Sequence, residues 1–116
     1  MDNSNNNIKH LIVEKCNAIK SQKDISCKYK KVQDLISNVY NETNNYNLML
    51  DLTDIDKDQK CKIEHNLNKN KIKLEKFIRE KEVLKKDITI LQHRIKYLEN
   101  EINKSKSFWQ RIISFI

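Results

Sequence analysis

This sequence predicts an all-α protein, on three observations. The chain contains no glycine and no proline, charged residues make up 34% beside 38% hydrophobic, and apolar side chains recur in heptads along most of its length. Without Gly or Pro it lacks the usual left-handed caps, tight turns and phosphate-cradling loops. A compact α/β enzyme is hard to build on those terms, and no catalysis is expected. Long stretches of Lys, Glu, Leu and Ile suit extended helices. The expected architecture is an N-terminal helical bundle or hairpin segment followed by a C-terminal coiled coil. A parallel dimer is preferred for the coil, with an antiparallel intrachain hairpin as the rival.

Residues 1–7 are rich in Asn and carry no apolar repeat, so they are expected to lack order. They also lack the basic and apolar regions of a signal peptide. Residues 8–53 read as a bundle-type segment. Position a falls at Ile8, Lys15, Gln22, Tyr29, Ile36, Thr43 and Leu50, and position d at Leu11, Ala18, Ile25, Val32, Val39 and Tyr46. Further apolar residues at e or g (Ile12, Ile19, Leu35, Tyr40 and Met49) widen the stripe beyond a two-stranded seam. Breaks are expected near Ser21 and Asp24 and near Asn41, Asn44 and Asn47, which would divide this segment into shorter helices.

A hinge is expected over residues 54–59. The heptad of the N-terminal half and that of the C-terminal half are out of step by three residues between Leu50 and Leu67. Thr53, Asp54, Asp56 and Asp58 supply side chains that compete with the helical backbone and can cap the next helix. If the chain breaks only there, two helices of similar length form a hairpin.

Residues 60–105 carry the most regular pattern. Position a falls at Leu67, Leu74, Lys81, Ile88, Ile95 and Ile102, and position d at Ile63, Asn70, Phe77, Leu84, Leu91 and Leu98. Ile at a with Leu at d favours two parallel strands. In that arrangement Glu80 meets Lys85, Arg94 meets Glu99, and Glu101 meets Lys106 across the dimer. The ten apolar residues of this frame form the expected dimer core, and Asn70 and Lys81 are expected to set its register at some cost in stability.

Residues 106–116 form an amphipathic aromatic tip. Phe108, Trp109, Ile112, Ile113, Phe115 and Ile116 are more apolar surface than a two-stranded seam covers. A patch of that kind marks contact with a partner protein or, flanked by Lys104, Lys106 and Arg111, with an anionic membrane surface. No run reaches the roughly 18 to 20 apolar residues of a membrane span.

Site chemistry is sparse. Asp54, Asp56 and Asp58 alternate like the first ligands of an EF-hand, but Gln59 stands at the turn glycine and His65 at the closing glutamate. A capped helix start is the better reading. His10, His65 and His93 occupy outer positions and are too dispersed for a metal site. Cys16, Cys27 and Cys61 have no C-x-x-C spacing, which fits a reducing interior. No cofactor, metal or catalytic set is expected.

Charge is uneven. Residues 1–58 hold 8 Lys and 9 Asp or Glu, a net −1, whereas residues 59–116 hold 15 Lys or Arg and 7 Asp or Glu, a net +8. Lys69, Lys71, Lys73, Lys85, Lys86, Lys104 and Lys106 admit a nucleic-acid reading, which is not favoured. Carboxylates interleave with most of them, and twenty lysines against three arginines, with fifteen Asn and sixteen Ile, reflect an AT-rich genome. The expectation is an intracellular coiled-coil structural or adaptor protein that self-associates and docks to a larger assembly. A peripheral membrane accessory is the first alternative, and a basic nucleic-acid-associated subunit the second.

Overall fold

The structure is a computed structural model describing the backbone of residues 2–52 and 54–115, with side chains described for residues 7–52, 54–107 and 110. Thr53, Ile116 and the side chains of Phe108, Trp109, Ile112, Ile113 and Phe115 lie outside the described residues. The chain is all-α. Helix α1 is Asp2–Leu50, 49 residues, and helix α2 is Lys57–Phe115, 59 residues; no strand occurs among the described residues.

Helix α1 differs from the expectation at both of its weak points and at its start. It begins at Asp2, taking in the Asn-rich segment expected to lack order, and runs unbroken through Ser21 to Asp24 and through Asn41 to Asn47. The physical reason is local. Neither stretch contains a residue that forbids helix, and each places side chains on the packed face: Gln22 and Ile25 in the first, Thr43 and Tyr46 in the second, all half-buried. Tertiary packing outweighs the modest propensity penalty of Asn and Ser.

The break falls between Leu50 and Lys57, three residues earlier than the expected hinge of 54–59, because the Asp56 cap starts α2 at Lys57 and makes Lys57, Asp58 and Gln59 helical. The last turn of α1 tightens, with Asp51 N–H donating to Leu48 O at 3.3 Å and Leu52 N–H to Met49 O at 3.2 Å. Helix α2 then opens on an N-cap. The Gln59 N–H donates to Asp56 Oδ1 at 2.8 Å, and the Lys60 N–H donates to Asp56 O at 3.0 Å. Asp58 in the first turn adds a carboxylate where the helix dipole is positive. The alternating aspartates therefore supply a cap.

The chain divides into two units, Met1–Ser26 with Lys86–Ile116, and Cys27–Lys85. The second is a hairpin whose direction two contacts settle. Asn70 Nδ2 donates to Thr43 Oγ1 at 3.4 Å, and the Lys81 ammonium lies 5.8 Å above the centre of the Tyr29 ring. Moving back along α1 moves forward along α2, so the helices are antiparallel. Val32, Ile36, Val39 and Ile63 are buried in this unit, and Leu67, Leu74, Phe77 and Leu84 are half-buried.

In the first unit Ala18, Leu98 and Ile102 are buried, and Leu98 is the most enclosed of the described side chains at 1% exposure. Ile88, Leu91 and Ile95 are half-buried beside them. Arg94 Nη2 reaches Glu14 Oε2 at 2.9 Å, and Lys15 Nζ reaches Glu99 Oε1 at 3.4 Å.

Every inner position from Ile63 to Ile102 is buried or half-buried. Within each unit those residues face α1 of the same chain. The arrangement formed is the intrachain rival of the parallel dimer. The charged residues agree with it: Arg94 and Glu99, expected to pair across a dimer, each pair with α1, and Glu101 takes Lys104 at 3.4 Å within its own helix. Helix α1 packs through a narrow seam, since Ile12, Leu35, Tyr40 and Met49 are exposed and only Ile19 of the widening residues is half-buried.

Candidate interaction surfaces

The seam of Cys27–Lys85 holds the two residues expected to set register, and both find partners on α1. Asn70 is 2% exposed, and its amide reaches the Thr43 hydroxyl. Lys81 is half-buried with its ammonium over Tyr29, which disperses part of the cost of a cation at an inner position. Tyr46 sits nearer the hinge. The Glu42 carboxylate beside it holds its phenol above the usual value, helped by partial burial, while a hydrogen bond with Asn66 pulls the other way.

Two openings flank this seam. The larger, about 560 Å³, has an apolar floor of Val32, Val83 and Leu84 with Lys28, Lys31 and Arg79 around it; Glu80 is the one carboxylate in its lining. The smaller, about 370 Å³, lies at the hinge and is lined by Met49, Leu52, Ile55, Gln59, Lys62 and Ile63.

The remaining sequence candidates are dispersed. His65 and His93 are exposed, as are the free thiols of Cys16, Cys27 and Cys61. His10 Nε2 lies 2.9 Å from Glu14 Oε1 on the same helix face. Lys69, Lys71, Lys73, Lys85, Lys86, Lys104 and Lys106 are all exposed. Among the described residues no group of His, Cys, Asp and Glu is placed to hold a metal ion, and no helix is long and apolar enough to cross a membrane.

The chain matches no protein-family model, no curated protein and no solved structure.

The heptad pattern does not reveal the floor of the larger opening. Val83 occupies position c, outside the expected seam, yet it lines the groove. A signal was present, because Val83, Ile90 and Tyr97 recur at seven-residue spacing on c. They are 57%, 65% and 53% exposed, so they add apolar surface that no a or d residue accounts for.

Proposed function

We propose that this chain is a non-catalytic structural or adaptor protein, acting by self-association and by docking to a larger assembly. One observation carries the reading. Among the described residues only seven apolar side chains are buried (Ala18, Val32, Ile36, Val39, Ile63, Leu98 and Ile102), while twelve large ones are exposed.

Single exposed apolar residues are ordinary on a protein surface. Here, however, the core itself is thin. A two-helix seam leaves Leu67, Leu74, Phe77, Leu84, Ile88, Leu91 and Ile95 half-covered, and so small a core supplies little stability by itself. Further helices laid against the seam would finish its burial, and a second copy of the chain offers the same helices.

Sedimentation equilibrium on the full chain at tens of micromolar tests this. A dimer or higher oligomer with high helicity is the expected result. A stable helical monomer, with no change in mass as concentration rises, would overturn it.

A further inference from the structure

The two openings of Cys27–Lys85 lie on the same side of its hairpin. Lys28 and Glu80 at the larger, and Met49 and Gln59 at the smaller, all occupy position g of their heptads. In an antiparallel helix pair the g positions of both helices border one side of the seam.

Both are apolar, and they differ in the charge of the chain around them. Three cations surround the apolar floor of the larger opening, and among the described residues none of Lys28, Lys31 and Arg79 has a carboxylate partner. At the hinge, Met49 and Leu52 are exposed, Leu52 by 64%, and Ile55 is half-buried. They stand among Asp51, Asp54, Asp56 and Asp58, with Lys57 the only cation of residues 51–58. The hinge end of the hairpin is thus an apolar tip whose segment 51–58 is acidic, with Lys62 in the lining of its opening, and the larger groove is apolar with three cations and Glu80 around it.

One chain cannot bring them together. Val32 and Leu50 are separated by roughly 27 Å of continuous helix at 1.5 Å per residue. Two chains can.

We propose that the g side of Cys27–Lys85 is a self-association surface, on which two copies lie antiparallel about a two-fold axis with the acidic hinge of each seated in the basic groove of the other. The proposal rests on the self-association reading above and names its surface. A two-fold arrangement makes the contact twice and closes, so growth stops at the dimer. Apolar burial of Leu52 and Met49 against Val32, Val83 and Leu84 supplies the affinity. The charges select orientation and make the dimer weaken with salt.

The experiment uses the full chain and two charge-reversed variants. One carries Lys28→Glu, Lys31→Glu and Arg79→Glu. The other carries Asp51→Lys and Asp54→Lys, and keeps the capping Asp56. All these residues are exposed, and circular dichroism checks that helicity is retained. The expected result by sedimentation is a wild-type dimer, at least a tenfold higher Kd for each variant alone, and recovery of the dimer in their equimolar mixture. Recovery is expected because, in the mixed dimer, the reversed groove meets the reversed hinge and the native groove meets the native hinge.

A wild-type dimer that neither variant weakens, or a mixture as weak as its components, would overturn this surface and leave the self-association reading standing. A wild-type monomer would remove both. A monomer whose groove takes up an apolar anion such as anilinonaphthalene sulfonate, with loss of uptake in the groove variant, would assign the groove to a small amphiphile instead.

Discussion

The side-chain amide of Asn70, 2% exposed, donates to the hydroxyl of Thr43, 27 residues earlier in the chain. Both occupy inner heptad positions, where an apolar residue would bury more favourably. A polar pair across a seam restricts register, because a slide by one heptad leaves each group facing an apolar neighbour. Thr43→Val or Asn70→Leu alone is expected to strand the remaining partner, at a cost of about 1–3 kcal/mol. The double replacement should be nearly neutral or stabilising. Urea unfolding followed by circular dichroism measures all four corners of the cycle, and simple additivity would show that the pair is not coupled.

Leu98 is the most enclosed side chain described. Leu98→Ala should destabilise the chain by roughly 2–5 kcal/mol through lost burial and a residual cavity. Val13→Ala, at a 56% exposed position of the same unit, should change stability far less. Thermal unfolding of the two variants side by side checks the contrast.

Glu14 and Arg94 meet at 2.9 Å, but their side chains are 33% and 52% exposed. A pair so placed is worth about 0.2–1 kcal/mol. Arg94→Ala should therefore cost less than about 1 kcal/mol, including the loss of its stacking on Tyr97 at 5.8 Å. The cost should shrink in roughly 0.5 M salt. A larger loss that is insensitive to salt would point to packing by the arginine stem instead.

Tyr46 provides a pH dependence. Its folded-state pKa lies above the ordinary phenol value of 10.0, chiefly because of the Glu42 carboxylate. A raised pKa means that the folded state favours the protonated phenol. The associated stability is fully present below the unfolded value and is lost as pH rises through the folded one. Stability is expected to fall above about pH 10 more steeply in the wild type than in Tyr46→Phe. Urea midpoints from about pH 8 to 11 measure this, and parallel slopes in the two proteins would contradict it.

Much of the fold was legible in the pattern of apolar residues. The a and d positions of both halves are the positions that pack, and the register step between Leu50 and Leu67 coincides with the helix break. The breaks expected near Ser21 and near Asn41 did not occur, because weak local propensity yields where Gln22, Ile25, Thr43 and Tyr46 gain neighbours. The candidate surface was less legible. Val83 belongs to no seam, and Lys28, Lys31 and Arg79 look like ordinary solvated cations until two helices bring them around one groove.

The sequence by itself determined that the chain is helical, where it bends, and which face of each helix is apolar. Those are properties of local periodicity and of the aspartates that cap α2. Tertiary structure alone decided what covers that face. A heptad stripe satisfies a parallel partner and an antiparallel one with the same residues, so its period does not carry direction. In Cys27–Lys85 the choice is made by six linking residues between Leu50 and Lys57, which hold α1 beside α2 at high effective concentration. It is reinforced by the contacts of Thr43 with Asn70 and of Tyr29 with Lys81.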